Sequence, residues 1–307
     1  MHVKDIIKKK IAAILKKDTL DTFKSDKQTE LLALGKLLSN QQYLINSKII
    51  NDYEFKIFSQ CGDDGIIQYL IKNLEIENKY FIEFGVGDFL ESNCRFLMMN
   101  NNWSGFVIDE SINAIKKLES QNWFWMYNLN ASSKFITVEN INDLLSNVNE
   151  KNIGLLHIDI DGNDYHVYKN INIDTLNPSI IILEYNSVFG RNRAITIPYR
   201  PDFNRTKAHY SNLFFGASLK AMNYISEKKG YSLVATNNAG NNAYFIRNDL
   251  INSKVKPLDI DEAYHYSKFR ESRDSKGTFS LISGDDRLKL LKGLKVENVI
   301  TGQIELL

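Results

Sequence analysis

The sequence predicts an α/β fold: a mostly parallel seven-stranded sheet that is flanked by helices and ends in an antiparallel hairpin. Three observations predict it. Residues 80–109 read as strand, glycine turn, helix and strand. The alternation of strands with helices continues to residue 183. Residues 231–246 then read as two strands joined by an Asn/Gly loop. Alternating elements are typical of parallel sheets, and Asn/Gly loops are typical of hairpins.

The first strand and its turn carry the clearest signal for a ligand. The run YFIEF at residues 80–84 is typical of a buried strand, and Gly85 and Gly87 follow it. Glycine lets a backbone turn sharply and approach a ligand closely. Glu83 lies inside this apolar run, where a carboxylate costs free energy unless a partner compensates it. A positively charged end of a ligand would be such a partner.

The second strand of this unit ends on Asp109. An acid there can accept hydrogen bonds from both hydroxyls of a ribose, and its distance along the chain from Gly85 is close to the ~20 residues expected. Leu90 stands where a dinucleotide-binding pattern has its third glycine. The pattern therefore favours a nucleoside ligand over a dinucleotide, although a tight turn without a ligand also fits the two glycines.

Composition narrows the classes of function. The 307 residues carry 38 basic and 37 acidic side chains, so the net charge of +1 gives no general attraction to nucleic acid. The 2 cysteines, Cys61 and Cys94, form neither a disulfide framework nor a zinc set, which favours a reducing cytoplasm. With 43% hydrophobic residues the chain can bury a core, and no apolar run is long enough to span a membrane.

Three regions are predicted: a helical extension at residues 1–50, the α/β domain at residues 51–250, and an appendage or lid at residues 251–307. Residues 1–17 read as a basic amphipathic helix. Such a helix can lie on an anionic membrane surface, pack on its own domain or pair with a second copy of the chain. These alternatives stay open, and with them contact with the inner face of the membrane and a homo-oligomer.

Other predicted elements are placed by local patterns. Residues 58–70 (FSQCGDDGIIQYL) predict a helix with acids at its start, where capping alone explains them. Gln60 and Asp64 are candidates for the cofactor side of this helix, and Asn130 follows the strand predicted at residues 123–129. Further elements are a strand at residues 154–160, a strand at residues 179–183 and a helix within residues 208–229.

A second polar cluster follows the fourth and fifth strands, at the sheet edge where α/β proteins bind ligands. The run HIDIDGNDYH contains Asp159, Asp161 and His166, and Glu184 ends the next strand. Carboxylates that converge repel one another unless a proton or a cation intervenes, and their oxygens suit Mg²⁺ or Mn²⁺. A histidine beside them can accept a proton near neutral pH. A simple turn at Asp161 and an exposed histidine are the plainer alternatives.

The segment at residues 189–211 is long for a loop and interleaves arginines with aromatic side chains. Aromatic rings stack on sugars, and arginines bind phosphate or carboxylate groups. The segment therefore predicts an anionic sugar or glycan as partner rather than nucleic acid. The candidate substrate-binding residues from this segment and the strand ends are Asn163, Asn186, Arg200, Arg205 and Tyr210.

The run Glu83-Phe84-Gly85-Val86-Gly87 resembles the first motif of the Rossmann-like methyltransferases that use S-adenosylmethionine (SAM). The run at residues 159–164, the strand ending in Glu184 and the later Asn242-Ala243-Tyr244-Phe245 resemble FkbM-type and bacterial sugar O-methyltransferases. The resemblance covers residues 58–247. In that family the hairpin closes the sheet, the glycine turn holds the methionine end of SAM, and the acid after the second strand holds the ribose.

The resemblance implies a SAM-dependent O-methyltransferase for sugars or surface polysaccharides. Glu83, Gly85, Gly87 and Asp109 would then bind SAM. Some relatives bind Mg²⁺ at these strand ends, which would make Asp159 and Glu184 metal ligands and His166 the base. The acidic run here is richer than FkbM-type sequences usually have. Two alternatives remain: a non-catalytic scaffold protein of polysaccharide assembly and an NAD-linked oxidoreductase.

Overall fold

The computed structural model describes residues 26–307, so the amphipathic helix predicted at residues 1–17 lies outside the described residues. Helix α1 covers residues 26–41. Its leucines pack against a small apolar cluster that contains Ile57, Phe58 and Phe96. Within the described residues, the segment before the α/β domain therefore contains a helix that packs on that domain.

The central sheet has seven strands in the order β3-β2-β1-β4-β5-β8-β7. Strand β8 is antiparallel to both of its neighbours, and the other adjacent pairs are parallel. The strands are β1 Asn78–Phe84, β2 Ser104–Asp109, β3 Leu129–Ser133, β4 Ile153–Ile158, β5 Ile180–Glu184, β7 Tyr231–Thr236 and β8 Asn242–Arg247. The predicted mostly parallel sheet with a terminal antiparallel hairpin is therefore confirmed.

Helices cover both faces of the sheet because both faces are apolar. On one face Ile82, Ile158 and Met222 belong to one buried cluster, and on the other Phe81 and Leu70 belong to a second. The helices are α2 Asp63–Asn73, α3 Arg95–Asn101, α4 Ile112–Glu119, α5 Ile141–Ser146, α6 Asp164–Asn170, α7 Ile173–Leu176, α8 Arg205–Ala208, α9 Leu219–Lys228, α10 Ile260–Ala263 and α11 Asp286–Lys289.

A second, three-stranded sheet joins the C-terminal segment to the segment after β5. Its order is β10-β9-β6, with β6 at Ile195–Thr196, β9 at Lys295–Asn298 and β10 at Ile304–Leu306. Beneath it, Phe189 and Leu291 share a third buried cluster. The long segment at residues 189–211 is therefore packed against the end of the chain and is not an isolated surface loop.

One predicted strand is misplaced, and one predicted helix occupies only part of the segment that was expected to contain it. The strand expected at residues 123–129 is a 3₁₀ turn at Phe124–Met126, where Trp125 is 81% exposed, and β3 begins only at Leu129. The helix expected within residues 208–229 begins at Leu219, because the Ser218 hydroxyl caps it by accepting from the Ala221 amide. Apolar composition alone could not distinguish an exposed apolar turn from a strand.

Strand β4 ends at Ile158, two residues earlier than predicted. Asp159 and Asp161 therefore lie in the turn after the strand, and Asp161 has a left-handed backbone with φ 55°. No helix within residues 26–307 is long and apolar enough to cross a membrane.

Candidate functional site

Two cavities open side by side at the carboxyl edge of the parallel strands. The larger has a volume of about 570 Å³ and the smaller about 320 Å³. Gly85, Asp159, Asp161, Arg205 and Thr206 line both. The boundary between the cavities is therefore built from the end of β1, the turn after β4 and helix α8.

At Gly85 the β1 turn approaches the β4 turn so closely that only glycine fits. Its φ is +75°, and a Cβ built on it would lie 1.6 Å from the Asp159 carbonyl oxygen. Gly87 also has a positive φ, +53°, but a Cβ there would meet nothing within 4 Å. The predicted roles of the two glycines therefore separate: Gly85 permits backbone contact, and Gly87 leaves open space.

Asp109 faces the smaller cavity from the end of β2. Its Oδ2 accepts from the Gly87 amide at 2.7 Å and its Oδ1 from the Ser111 amide at 2.8 Å. These bonds fix the carboxylate against the glycine turn and leave each oxygen a further lone pair. Phe135 and Ile136 add an apolar wall to the same cavity. An acid beside an apolar wall suits a nucleoside, which offers hydroxyls at one end and a flat ring at the other.

Glu83 lies 2% exposed in the wall of the larger cavity, but its carboxylate is already fully used. Oε1 pairs with His157 Nδ1 at 2.9 Å and accepts from the Asn93 amide at 2.9 Å, and Oε2 accepts from the Ser92 hydroxyl at 2.6 Å. The expectation that Glu83 waits for a cationic ligand is therefore wrong, since His157 is its partner.

The Glu83–His157 pair is held as a buried ion pair. Burial by itself would raise the pKa of Glu83, but the hydrogen bond and charge of His157, with the bonds from Ser92 and Asn93, lower it. Burial would lower the pKa of His157, but the hydrogen bond and charge of Glu83 raise it, with smaller contributions from Asp159 and Asp63. The pair stabilises the junction of β1 with β4.

Three carboxyl groups converge where β4 and β5 end. Oxygens of Asp159, Asp164 and Glu184 lie within 4.8 Å of one another. Burial and the neighbouring Asp161 carboxylate raise the pKa of Asp159 to about 7. Burial, followed by the charges of Asp159, Asp161 and Asp164, raises the pKa of Glu184 well above its ordinary value.

The three groups are not equivalent. Asp164 accepts from the amides of Ile160 and Gly162 at 2.8 Å each, so it shapes the β4 turn. Glu184 is 8% exposed, and its Oε2 has no hydrogen-bond partner among residues 26–307. Asp159 and Glu184 are therefore the carboxyl groups that remain available to a ligand, as predicted from the strand ends.

Asp161 is neutralised by Arg205, which forms an ion pair with it. The Arg205 guanidinium also lies 3.7 Å from the centre of the Phe215 ring and 3.7 Å from Glu271. Asp161 is therefore placed at the cavity boundary as predicted, but its charge is paired. Arg205 is the predicted substrate-binding arginine that lines both cavities.

His166, predicted as the base, does not face either cavity. It is 6% exposed, and its Nε2–H donates to the Ile197 carbonyl at 2.8 Å. Because a carbonyl only accepts, Nε2 carries the proton and cannot take another. The ring packs beside Tyr165 and Tyr199. The assignment of His166 as base is wrong, since the helix turns it towards the segment after β5.

Two of the three weaker cofactor candidates also lie away from the cavities. Asn130 is exposed on β3 and lines neither cavity. The Asp64 carboxylate accepts from the amides of Ile57, Phe58 and Ser59, so it holds the chain before α2. Gln60 does line the larger cavity.

Of the remaining candidates for substrate binding, two line a cavity and two do not. Asn163 lines the smaller cavity, but its side chain donates to the Arg200 carbonyl at 2.8 Å. Asn186 lines the larger cavity and donates to the carbonyls of Leu213 and Phe215. Arg200 pairs with Asp202 at the surface, and Tyr210 is 45% exposed; neither lines a cavity.

Sequence reasoning missed His157, Asn242 and the contribution of the C-terminal segment, whose Arg287 lines the larger cavity. His157 gave a signal, since a histidine interrupts the apolar run of β4 two residues before Asp159. Asn242 appeared only within the run that resembles the sugar O-methyltransferases and had no role of its own there. Arg287 gave no signal, because polar tails are rich in such residues. Arg287 donates to the carbonyls of Phe269 and Ser267, which closes that wall.

No protein-family model matches the chain, and no curated protein matches it. The strand order, with β8 inserted antiparallel between β5 and β7, decides the fold. The chain has the Rossmann-like fold of SAM-dependent methyltransferases.

Solved structures resemble the chain distantly. An O-methyltransferase from Bacillus cereus in complex with SAH is 12% identical with a TM-score of 0.42, over 74% of this chain and 96% of its own. A putative caffeoyl-CoA O-methyltransferase from Staphylococcus aureus is 12% identical with a TM-score of 0.40, over 70% of this chain and 99% of its own. The pyocyanin biosynthetic protein PhzM is 8% identical with a TM-score of 0.36, over 57% of this chain, which spans 52% of its length. Likenesses this distant carry no argument about activity.

Proposed function

We propose that the chain is a SAM-dependent O-methyltransferase in which Asp159 accepts the proton of the acceptor hydroxyl. One observation carries the proposal: Asp159 lies at the boundary of two cavities, one suited to a nucleoside and the other open to a second molecule. A group transfer between two bound molecules needs a side chain at such a boundary, because positioning supplies much of the rate.

The residues around the smaller cavity fit the cofactor. Asp109 would hold the ribose with its remaining lone pairs, and Gly87 leaves open space where a side chain would otherwise stand. Gly85 keeps the two turns in contact at the cavity boundary. When bound, SAM supplies an electrophilic methyl group on a sulfonium. SAM fits this cavity better than a dinucleotide does. Leu90 stands where a dinucleotide-binding pattern has its third glycine, and the sheet ends in an antiparallel hairpin.

Asp159 fits the role of proton acceptor because of its surroundings. Asp161 is paired with Arg205 and Asp164 is bonded to backbone amides, so Asp159 keeps a free carboxylate. Its pKa of about 7 suits a general base at neutral pH. SAM would supply the methyl group to the acceptor oxygen and leave as the thioether SAH, and Asp159 would take the proton that the hydroxyl loses.

A divalent cation bound between Asp159 and Glu184 is the alternative use of these two carboxyl groups. Asp159 and Glu184 offer oxygens within 4.8 Å of each other, and oxygen ligands suit Mg²⁺ and Mn²⁺. The unpartnered Oε2 of Glu184 is compatible with a metal ligand. An ion there would position the acceptor oxygen. If a chelator leaves turnover unchanged, Asp159 and Glu184 hold no required ion.

A sugar or surface-polysaccharide hydroxyl remains the proposed acceptor, on the strength of the sequence resemblance. The arginines that suggested an anionic sugar give less support than expected. Arg191 pairs with Asp261, Arg193 with Glu305, and Arg200 with Asp202. These three side chains also lie outside the linings of both cavities.

Isothermal calorimetry with SAH and with NAD tests the cofactor. We expect SAH to bind the wild-type chain with one site and Asp109→Asn to weaken it by about tenfold or more, the value of a hydrogen bond to a charged group. Asp143→Asn, an exposed acid on α5, is the matched control and should bind as the wild type does. Binding of NAD without SAH would refute the proposal.

A further inference from the structure

The larger cavity is lined by two residues with buried acceptor atoms for which residues 26–307 provide no donor. They are Glu184 Oε2 and Asn242 Oδ1, in side chains that are 8% and 3% exposed. Both residues line the larger cavity, and neither atom has a hydrogen-bond partner within residues 26–307. Burying a polar atom without a partner costs free energy, so such a pair points to a ligand that donates.

The two residues lie directly opposite each other on antiparallel strands. Glu184 of β5 is the register partner of Asn242 of β8. Opposed residues on antiparallel strands point to the same face with their Cβ atoms about 4.5–5.5 Å apart. A single small group can therefore reach both side chains.

The orientation of the Asn242 amide is fixed by its neighbour. Its Nδ2 donates to Asp63 Oδ1 at 3.0 Å, and Asp63 also accepts from the Tyr244 hydroxyl at 2.5 Å and from Asn237 Nδ2 at 3.0 Å. Because a carboxylate only accepts, the amide nitrogen must face Asp63. The amide oxygen is thus the atom of Asn242 that is left without a partner.

Carboxyl groups are the nearest neighbours of these atoms. Asp159 lies beside Glu184, with oxygens within 4.8 Å. The guanidinium of Arg205 is occupied by Asp161, by the Asn212 carbonyl at 2.9 Å and by Glu271 at 3.7 Å. Arg205 therefore attracts Glu184 through space without donating to it.

We propose that Glu184 and Asn242, with Asp159 beside them, bind a protonated amino group carried by the methyl acceptor. An ammonium brings three N–H donors and one positive charge, so it satisfies both acceptor atoms at once and compensates the carboxylates. A hydroxyl brings one donor and no charge. The acceptor class is therefore a hydroxyl compound that also carries an amine, such as an amino sugar. This inference rests on the proposed methyltransferase function, because it names the acceptor of that reaction.

Glucosamine and glucose are the matched probes, since they differ only in bearing an ammonium or a hydroxyl at one carbon. Calorimetry of the full chain, with and without SAH, should give glucosamine an affinity about tenfold or more above that of glucose. Glu184→Gln should remove most of this preference. Glu91→Gln, at an exposed carboxylate in the lining of the same cavity, should retain it.

Several results would overturn the inference. These are equal affinity for the two sugars, binding of neither at tens of millimolar, and a preference that survives Glu184→Gln. Tight Mg²⁺ binding that removes the glucosamine preference would assign the acceptor atoms to a metal instead. Failure of SAH to bind would overturn the methyltransferase proposal. The titrations of the two sugars without SAH would still measure the preference for glucosamine, so the two failures can be distinguished.

Discussion

The contact between the β1 and β4 turns predicts different effects for two glycine substitutions that look alike in the sequence. Gly85 and Gly87 both have positive φ, +75° and +53°. An alanine at either position therefore carries the cost of a left-handed backbone, about 1–2 kcal/mol. Only at Gly85 would the new Cβ collide, at 1.6 Å from the Asp159 carbonyl oxygen.

This collision determines how much more unfolding free energy Gly85→Ala loses than Gly87→Ala. The colliding atom belongs to the backbone, so the two turns must separate, and overpacking of this kind costs a further 1–3 kcal/mol or so. We expect Gly87→Ala to lower the free energy of unfolding by about 1–2 kcal/mol and Gly85→Ala by roughly 2–5 kcal/mol. Urea unfolding followed by circular dichroism measures both. Gly87→Ala is the control for the backbone cost.

The same substitution should affect ligand binding unequally. Separation of the turns at Gly85 displaces Asp159, which lies on the boundary of the two cavities. SAH affinity and turnover should therefore fall more in Gly85→Ala than in Gly87→Ala, measured at a temperature where both variants are folded. Equal unfolding free energies for the two variants would show that the β1 and β4 turns do not touch as described.

Three further predictions follow from the buried titratable groups. Glu83→Gln should destabilise the chain by about 1–3 kcal/mol, the cost of an unsatisfied buried group. The folded pKa of Glu83 is lowered and that of His157 raised, so the stability from this pair is fully present only above the unfolded pKa of Glu83 and below that of His157. The loss of unfolding free energy in Glu83→Gln should therefore be largest near about pH 5–6 and should shrink as pH rises through the folded pKa of His157. Urea titrations at several pH values measure this loss, and a loss that does not change with pH would argue against the ion pair. His166→Gln should keep the pH profile of turnover, because its Nε2–H is bound to the Ile197 carbonyl. If this variant lost the rise of turnover with pH, His166 would be restored as the base. Turnover of the wild type should rise with pH through about 7, since the carboxylate form of Asp159 accepts the proton, and Asp159→Asn should abolish both the rise and most of the turnover.

Much of the fold was predictable because its signals are local. The glycine turn after β1, the acid after β2 and the Asn/Gly loop of the hairpin each appear within a few residues, and each stands where expected. Asp159 and Glu184 were also predictable, since the carboxyl ends of neighbouring parallel strands meet at one edge. The bounds of β3 and α9 were not, because exposure of Trp125 and the cap at Ser218 depend on what packs nearby.

The errors within the site have a common physical cause. Glu83 and His157 are 74 residues apart and meet only through the register of β1 with β4. The direction of His166 is set by Ile197, which comes from a later segment. The wall that Arg287 contributes to the larger cavity depends on how the polar C-terminal segment packs against the rest of the domain. Such partners are fixed by tertiary packing and leave no trace in the local pattern.

A crystal structure of the chain with SAH tests the central claim most directly. The ribose hydroxyls should lie on Asp109 in the smaller cavity, and the sulfur should lie at the boundary formed by Gly85 and Asp159, with the larger cavity left open for the acceptor. A nucleoside bound elsewhere, or a sulfur that faces away from Asp159, would contradict it.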